Sequence, residues 1–76
     1  MNDNHAFATY VTLCGSRKEA ARRMGVSLAM IDHILSGFRK LSVRLAMRVA
    51  TDSGGHIALH ELRPDIWPPI YGRKAA

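Results

Sequence analysis

A chain of 76 residues with one cysteine and a net charge of +5 excludes several classes of protein. It makes a single domain that buries only about 60% of the surface its unfolded form exposes, so marginal stability is expected and pairing with a second copy would help. Cys14 alone builds no disulfide framework. No apolar run approaches the ~20 residues of a membrane span, and the start Met-Asn-Asp-Asn-His lacks the basic and apolar stretches of a secretion signal. The expectation is a soluble, cytoplasmic protein with no membrane partner.

In chain order, Asn2 to Asn4 offer helix caps, and Phe7, Tyr10, Val11 and Cys14 recur at the spacing of an amphipathic helix. Cys14 reads as a small core residue, and Gly15 ends the helix. Thr9 and Thr12 lie off the stripe. A second helix, Arg17 to Met24, has Ser16 as N-cap and Glu19 three residues on, the pattern of a capping box. Ala20, Ala21 and Met24 form its apolar stripe, and Gly25 suits a tight turn that demands a positive φ. Arg17 and Lys18 sit at its N-terminus, where helix dipole and free N–H groups attract phosphate. Arg22 and Arg23 either pair with Glu19 or stay in water.

Ser27 caps a third helix that stops near Gly37. Ile31, Ile34, Leu35 and part of Met30 face inward. Ser27, Leu28, Ala29, Asp32, His33 and Ser36 face outward. Two short helices joined at Gly25 have the layout of a helix-turn-helix, whose second helix, here about 28–36, enters the DNA major groove. Its N-terminal turns would read bases, through Ser27, Leu28, Ala29, Asp32 and His33. This surface is chemically thin, because it holds no Arg, Lys, Asn or Gln for a bidentate base contact. Leu28 and Ala29 suit thymine methyls, Asp32 a cytosine amino group, and His33 a guanine edge or the backbone. DNA shape, water and the neighbouring cations would carry the rest of the recognition.

The loop Gly37-Phe38-Arg39-Lys40-Leu41 has a basic tip, with Phe38 expected to tuck against the core. Ser42 then caps a fourth helix to about Thr51, with Leu45, Ala46, Val49 and Ala50 inward, Met47 exposed, and Arg44 and Arg48 four residues apart on an open side. The expected phosphate contacts are Arg17, Lys18, Ser36, Arg39, Lys40 and Arg44. Charge is concentrated accordingly: residues 17–48 hold eight basic and two acidic side chains, and the remainder carries one net negative charge. A polyanionic partner fits this distribution.

Asp52-Ser53-Gly54-Gly55 breaks the chain. One helical turn follows at about Leu59 to Leu62, ending before Pro64. Ile57, Leu62, Ile66 and Trp67 read as a lid over the first and fourth helices, with Trp67 either in the core or at a dimer surface. Residues 71–76 read as a flexible basic tail, and residues 1–70 as the domain. His56 and His60 are four apart, but no third ligand stands in register and no Glu follows His56 as in His-Glu-x-x-His, so no metal is expected. No nucleophile and base are paired and no glycine-rich phosphate loop is present, so neither enzyme chemistry nor a cofactor is expected.

Gly15-Ser16-Arg17-Lys18-Glu19-Ala20-Ala21-Arg22-Arg23-Met24-Gly25-Val26-Ser27 resembles the opening of Cro-type, lambda-repressor-like helix-turn-helix domains. Leu62-Arg63-Pro64-Asp65-Ile66-Trp67-Pro68, after Gly54-Gly55 and His60-Glu61, resembles the closing motif of Cro-like phage repressors and of the YdaS-like antitoxin family. The resemblance implies an all-α, compact domain of four to five helices, often a homodimer, that binds double-stranded operator DNA and represses transcription in a prophage or toxin–antitoxin locus. Where such domains often carry Gln at the start of the recognition helix, this chain has Leu28 and Ala29. The alternative expectation is an antitoxin or anti-repressor that acts mainly on a partner protein encoded nearby.

Overall fold

The computed structural model describes residues 4–68, which form five helices and no strand. These are α1 (Asn4–Cys14), α2 (Arg17–Met24), α3 (Leu28–Leu35), α4 (Val43–Asp52) and α5 (Leu59–Leu62). The chain is therefore all-α. The possible caps Asn2 and Asp3 and the basic tail 71–76 lie outside the described residues.

Three serines start three of the helices by the same local chemistry. Ser16, Ser27 and Ser42 adopt extended backbone, and each side-chain oxygen accepts the amide three residues on, at 3.0 Å from Glu19, 3.1 Å from Met30 and 3.1 Å from Leu45. Each such cap contributes about 1 kcal/mol. The expected capping box at Ser16 is only half made. Glu19 turns outward to Arg22 and Arg23 instead of returning to the Ser16 amide, because two guanidiniums at i+3 and i+4 outbid one backbone donor. In α5 the other half appears alone, with Glu61 Oε1 accepting the Ala58 amide at 2.9 Å.

Helix ends follow glycine. Gly25 (φ +73°) closes α2, with the Val26 amide donating to the Ala21 carbonyl at 3.0 Å and the Gly25 amide to Arg22 at 3.3 Å. This Schellman pattern satisfies carbonyls that the helix leaves open. The third helix ends earlier than expected, at Leu35, and the same pattern recurs around Gly37, where Phe38 donates to the His33 carbonyl at 2.9 Å. At the other end of the bundle α4 runs one residue further than expected, to Asp52.

The core draws on every helix. Phe7, Tyr10 and Val11 come from α1, Ala20, Ala21 and Met24 from α2, Ile31 and Ile34 from α3, and Ala46 and Val49 from α4; Leu41, Ile57 and Leu62 close it. Burying one such large aliphatic or aromatic side chain stabilises the fold by about 1.5–3 kcal/mol. α2 packs on α4, and each contributes a fully buried alanine to the core, Ala20 and Ala46, small side chains that suit closely packed helices. α5 packs on both α1 and α4, as the lid reading expected. Trp67 is half-buried against the core while Ile66 is exposed. Cys14 is likewise half-buried at the core edge. Phe38 departs from expectation: it is 77% exposed. Its amide is committed to closing α3, and the left-handed Gly37 turn holds its ring out of the core.

Candidate nucleic-acid interface

The exposed side of α3 and the basic residues around it form the candidate site. Ile31 and Ile34 are buried, which fixes the rotation of α3 and leaves Ser27, Leu28, Ala29, His33 and Ser36 exposed with Asp32 half-buried. Leu28, Asp32 and Ser36 form one row at i, i+4, i+8, and Ala29 and His33 a second beside it. Leu28 is 41% exposed on this face.

Several of these side chains are already engaged. Ser27 Oγ accepts the Met30 amide as the helix cap. Ser36 Oγ donates to the His33 carbonyl at 3.1 Å and lies 3.4 Å from the Phe38 amide, so its hydroxyl serves the end of α3. The His33 ring stands 5.2 Å, centroid to centroid, from Phe38 at an interplanar angle of 59°. Asp32 pairs with Arg17 from the first turn of α2. The structure thus brings an expected phosphate ligand and an expected base reader into one ion pair.

The remaining cations lie in separate places. Lys18 is exposed on α2. Arg39 reaches back to Met30, with Nη1 4.0 Å from Sδ. Lys40 is exposed and its charge acts on Asp65. Arg44 lines an open groove with Gly25, Val26 and Arg48 and a second with Arg23, Met47 and Thr51. Arg48, expected only as an open-side residue, donates from Nε to the Arg23 carbonyl at 3.1 Å and so closes the end of α2.

The acidic side chains among the described residues are all occupied. Hydrogen bonds from Arg22 and then Arg23 hold the Glu19 carboxyl well below its usual range, at about 2. Asp52 accepts the Tyr10 hydroxyl at 2.7 Å and Arg23 Nη1 at 3.2 Å, and these bonds, Tyr10 first, lower its pKa. Burial, reinforced by Asp52, pushes the Tyr10 hydroxyl up, so it remains a donor. Arg63 grips both oxygens of Asp65, at 2.9 and 2.7 Å, lowers that carboxyl to about 2, and also donates to the Leu41 carbonyl. Every carboxylate among the described residues accepts from a donor of the same chain. Lys18, Arg39, Lys40, Arg44 and Arg48, by contrast, make no ion pair with a described residue. The Tyr10–Arg23–Asp52 knot escaped sequence reasoning because its members are spread over three helices; no local spacing marks it.

Among the described residues no group of three His, Cys, Asp or Glu side chains is placed to hold a metal ion, and no helix is long and apolar enough to cross a membrane. No family model matches the chain, and neither a curated protein nor a solved structure is significantly similar to it.

Proposed function

We propose that the chain is a sequence-specific DNA-binding regulator of transcription, a repressor of a prophage or toxin–antitoxin locus that acts in the cytoplasm. It docks α3 in the major groove of double-stranded operator DNA and works as a homodimer on half-sites about one helical turn (~34 Å) apart. The observation that carries this reading is the charge imbalance among the described residues: Glu19, Asp32, Asp52 and Asp65 are ion-paired within the chain and Glu61 accepts a backbone amide, whereas Lys18, Arg39, Lys40, Arg44 and Arg48 make no ion pair. The exposed outer face of α3 and the resemblance of Gly15–Ser27 to the opening of Cro-type domains support it. Each phosphate neutralised steepens the fall of log affinity with log salt by about 0.9. In a fluorescence-anisotropy titration with a duplex from the protein's own promoter, the double variant Arg39→Ala, Lys40→Ala is expected to flatten that slope by roughly 2 per subunit. Affinity that is flat with salt, or no binding at all, defeats the proposal.

A second reading, an antitoxin or anti-repressor that acts on a neighbour-encoded protein, is favoured by the exposed apolar residues Leu13, Val43 and Met47. Co-purification with that neighbour, together with unchanged DNA affinity in the Arg39, Lys40 double variant, would support it over the first.

A further inference from the structure

The outward face of α3 contains no arginine in its own sequence, yet an arginine stands on it. Arg17, the first residue of α2, donates from Nη1 to Oδ1 of Asp32, in the middle of the Leu28, Asp32, Ser36 row. We propose that Arg17 reads a guanine and that Asp32 is the residue that positions it. This rests on the DNA-binding reading above and reverses the roles expected from sequence, which gave Arg17 a phosphate and Asp32 a base.

A guanidinium has five N–H donors in a fixed plane; Asp32 engages it through Nη1 alone, and Nε and Nη2 make no hydrogen bond to a described residue. That second edge is the fork that fits O6 and N7 of guanine. Next, the pair has no net charge, so its pull on a phosphate is largely cancelled, whereas its hydrogen-bonding edge is intact. The unpaired cations Lys18, Arg39 and Lys40 are better phosphate ligands. Finally, Arg17 is 54% and Asp32 45% exposed in their side chains, so a base edge can reach them without dismantling the fold. Asp32 also removes the freedom of a long side chain before DNA arrives, and Arg17 masks a carboxylate that would otherwise repel the backbone.

The experiment begins with selection of wild-type sites from a random duplex pool. Anisotropy titrations then follow on the best duplex and on single-base-pair substitutions. Wild type is expected to prefer guanine at one position by about tenfold or more, and to lose that preference when the guanine is replaced by 7-deazaguanine. Arg17→Lys and Asp32→Asn should each bring discrimination at that position to within about twofold, with other positions unchanged; the salt slope should hold in Arg17→Lys and should not fall in Asp32→Asn, where the Arg17 charge is unmasked. Asp32→Asn should bind random duplex no more weakly than wild type. The inference is overturned if Arg17→Ala weakens every duplex by the same factor and lowers the slope by about 1 while preference survives, the behaviour of a phosphate ligand. Wild type that binds no duplex removes the DNA-binding reading itself, and this measurement comes first.

Discussion

Glu19, Asp52 and Asp65 each sit at the surface, and each is held as a carboxylate by donors of its own chain. Their lowered pKa values have a definite sign. A carboxyl that ionises more readily in the folded state stabilises the fold above its unfolded pKa, 4.5 for Glu19 and 3.8 for Asp65, and that stabilisation is lost as pH falls through about 2. The thermal midpoint followed by circular dichroism should stay level from neutral pH to about pH 5 and decline from there toward pH 2. These groups are exposed, so salt screens them, and the decline should be shallower at high salt. A midpoint independent of pH over that range would show that the ion pairs contribute nothing to folding. Partner choice was legible at this scale only where it is local. Arg22 and Arg23 stand three and four residues after Glu19, so their pairing was one of two stated options. Arg17 and Asp32 are fifteen residues apart, and Tyr10 and Asp52 forty-two, distances at which residue spacing carries no information.

At the scale of the element, the turn between α2 and α3 decides how the candidate reading face is presented. Gly25 holds φ at +73°, and a Cβ built there meets nothing within 4 Å. The cost of Gly25→Ala is therefore backbone strain alone, about 1–2 kcal/mol, or a midpoint lowered by roughly 4–8 °C for each kcal/mol. Gly25→Asn should cost less, since Asn tolerates the left-handed region. Equal loss in both variants would mean that the turn, and not the residue, absorbs the change. The element boundaries were legible because caps act over three residues and glycine acts on its own φ. Ser16, Ser27 and Ser42, Gly25, and the short α5 all read correctly. Gly37 as the left-handed stop of α3 also read correctly, although the helix proper ends at Leu35; the place of Phe38 did not. Hydrophobicity puts Phe38 inside, whereas the Gly37 turn that terminates α3 places it outside at 77% exposure.

For the whole molecule, a core of thirteen buried apolar residues, three of them alanines, is small. Leu13, Val43, Met47 and Ile66 remain exposed. If the homodimer forms, the thermal midpoint should rise with protein concentration, because association stabilises by mass action, and light scattering should report twice the chain mass. A chain ending at Asp65 loses Trp67, which packs against the core, and is expected to be monomeric or unfolded. A truncated chain that stays folded and dimeric would place the interface elsewhere. The all-α class was legible from apolar spacing, and so was part of the lid over α1 and α4: of Ile57, Leu62, Ile66 and Trp67, the first two are buried, Trp67 is half-buried and Ile66 is exposed. The knot of Tyr10, Arg23 and Asp52 was not, since it depends on three helices already being packed.

The packing of α5 on α1 also sets an order of events during synthesis. Phe7, Tyr10 and Val11 leave the ribosome early, yet Ile57 and Leu62, which close over this end of the core, are made roughly 50 residues later. At about 5–20 residues per second that closing contact trails the first helix by roughly 2–10 s. α2 and α3 are made in the meantime and can cover part of the stripe, so the side of α1 that awaits α5 is the part left open to nascent-chain binders, and the native core closes only when that helical turn is in place.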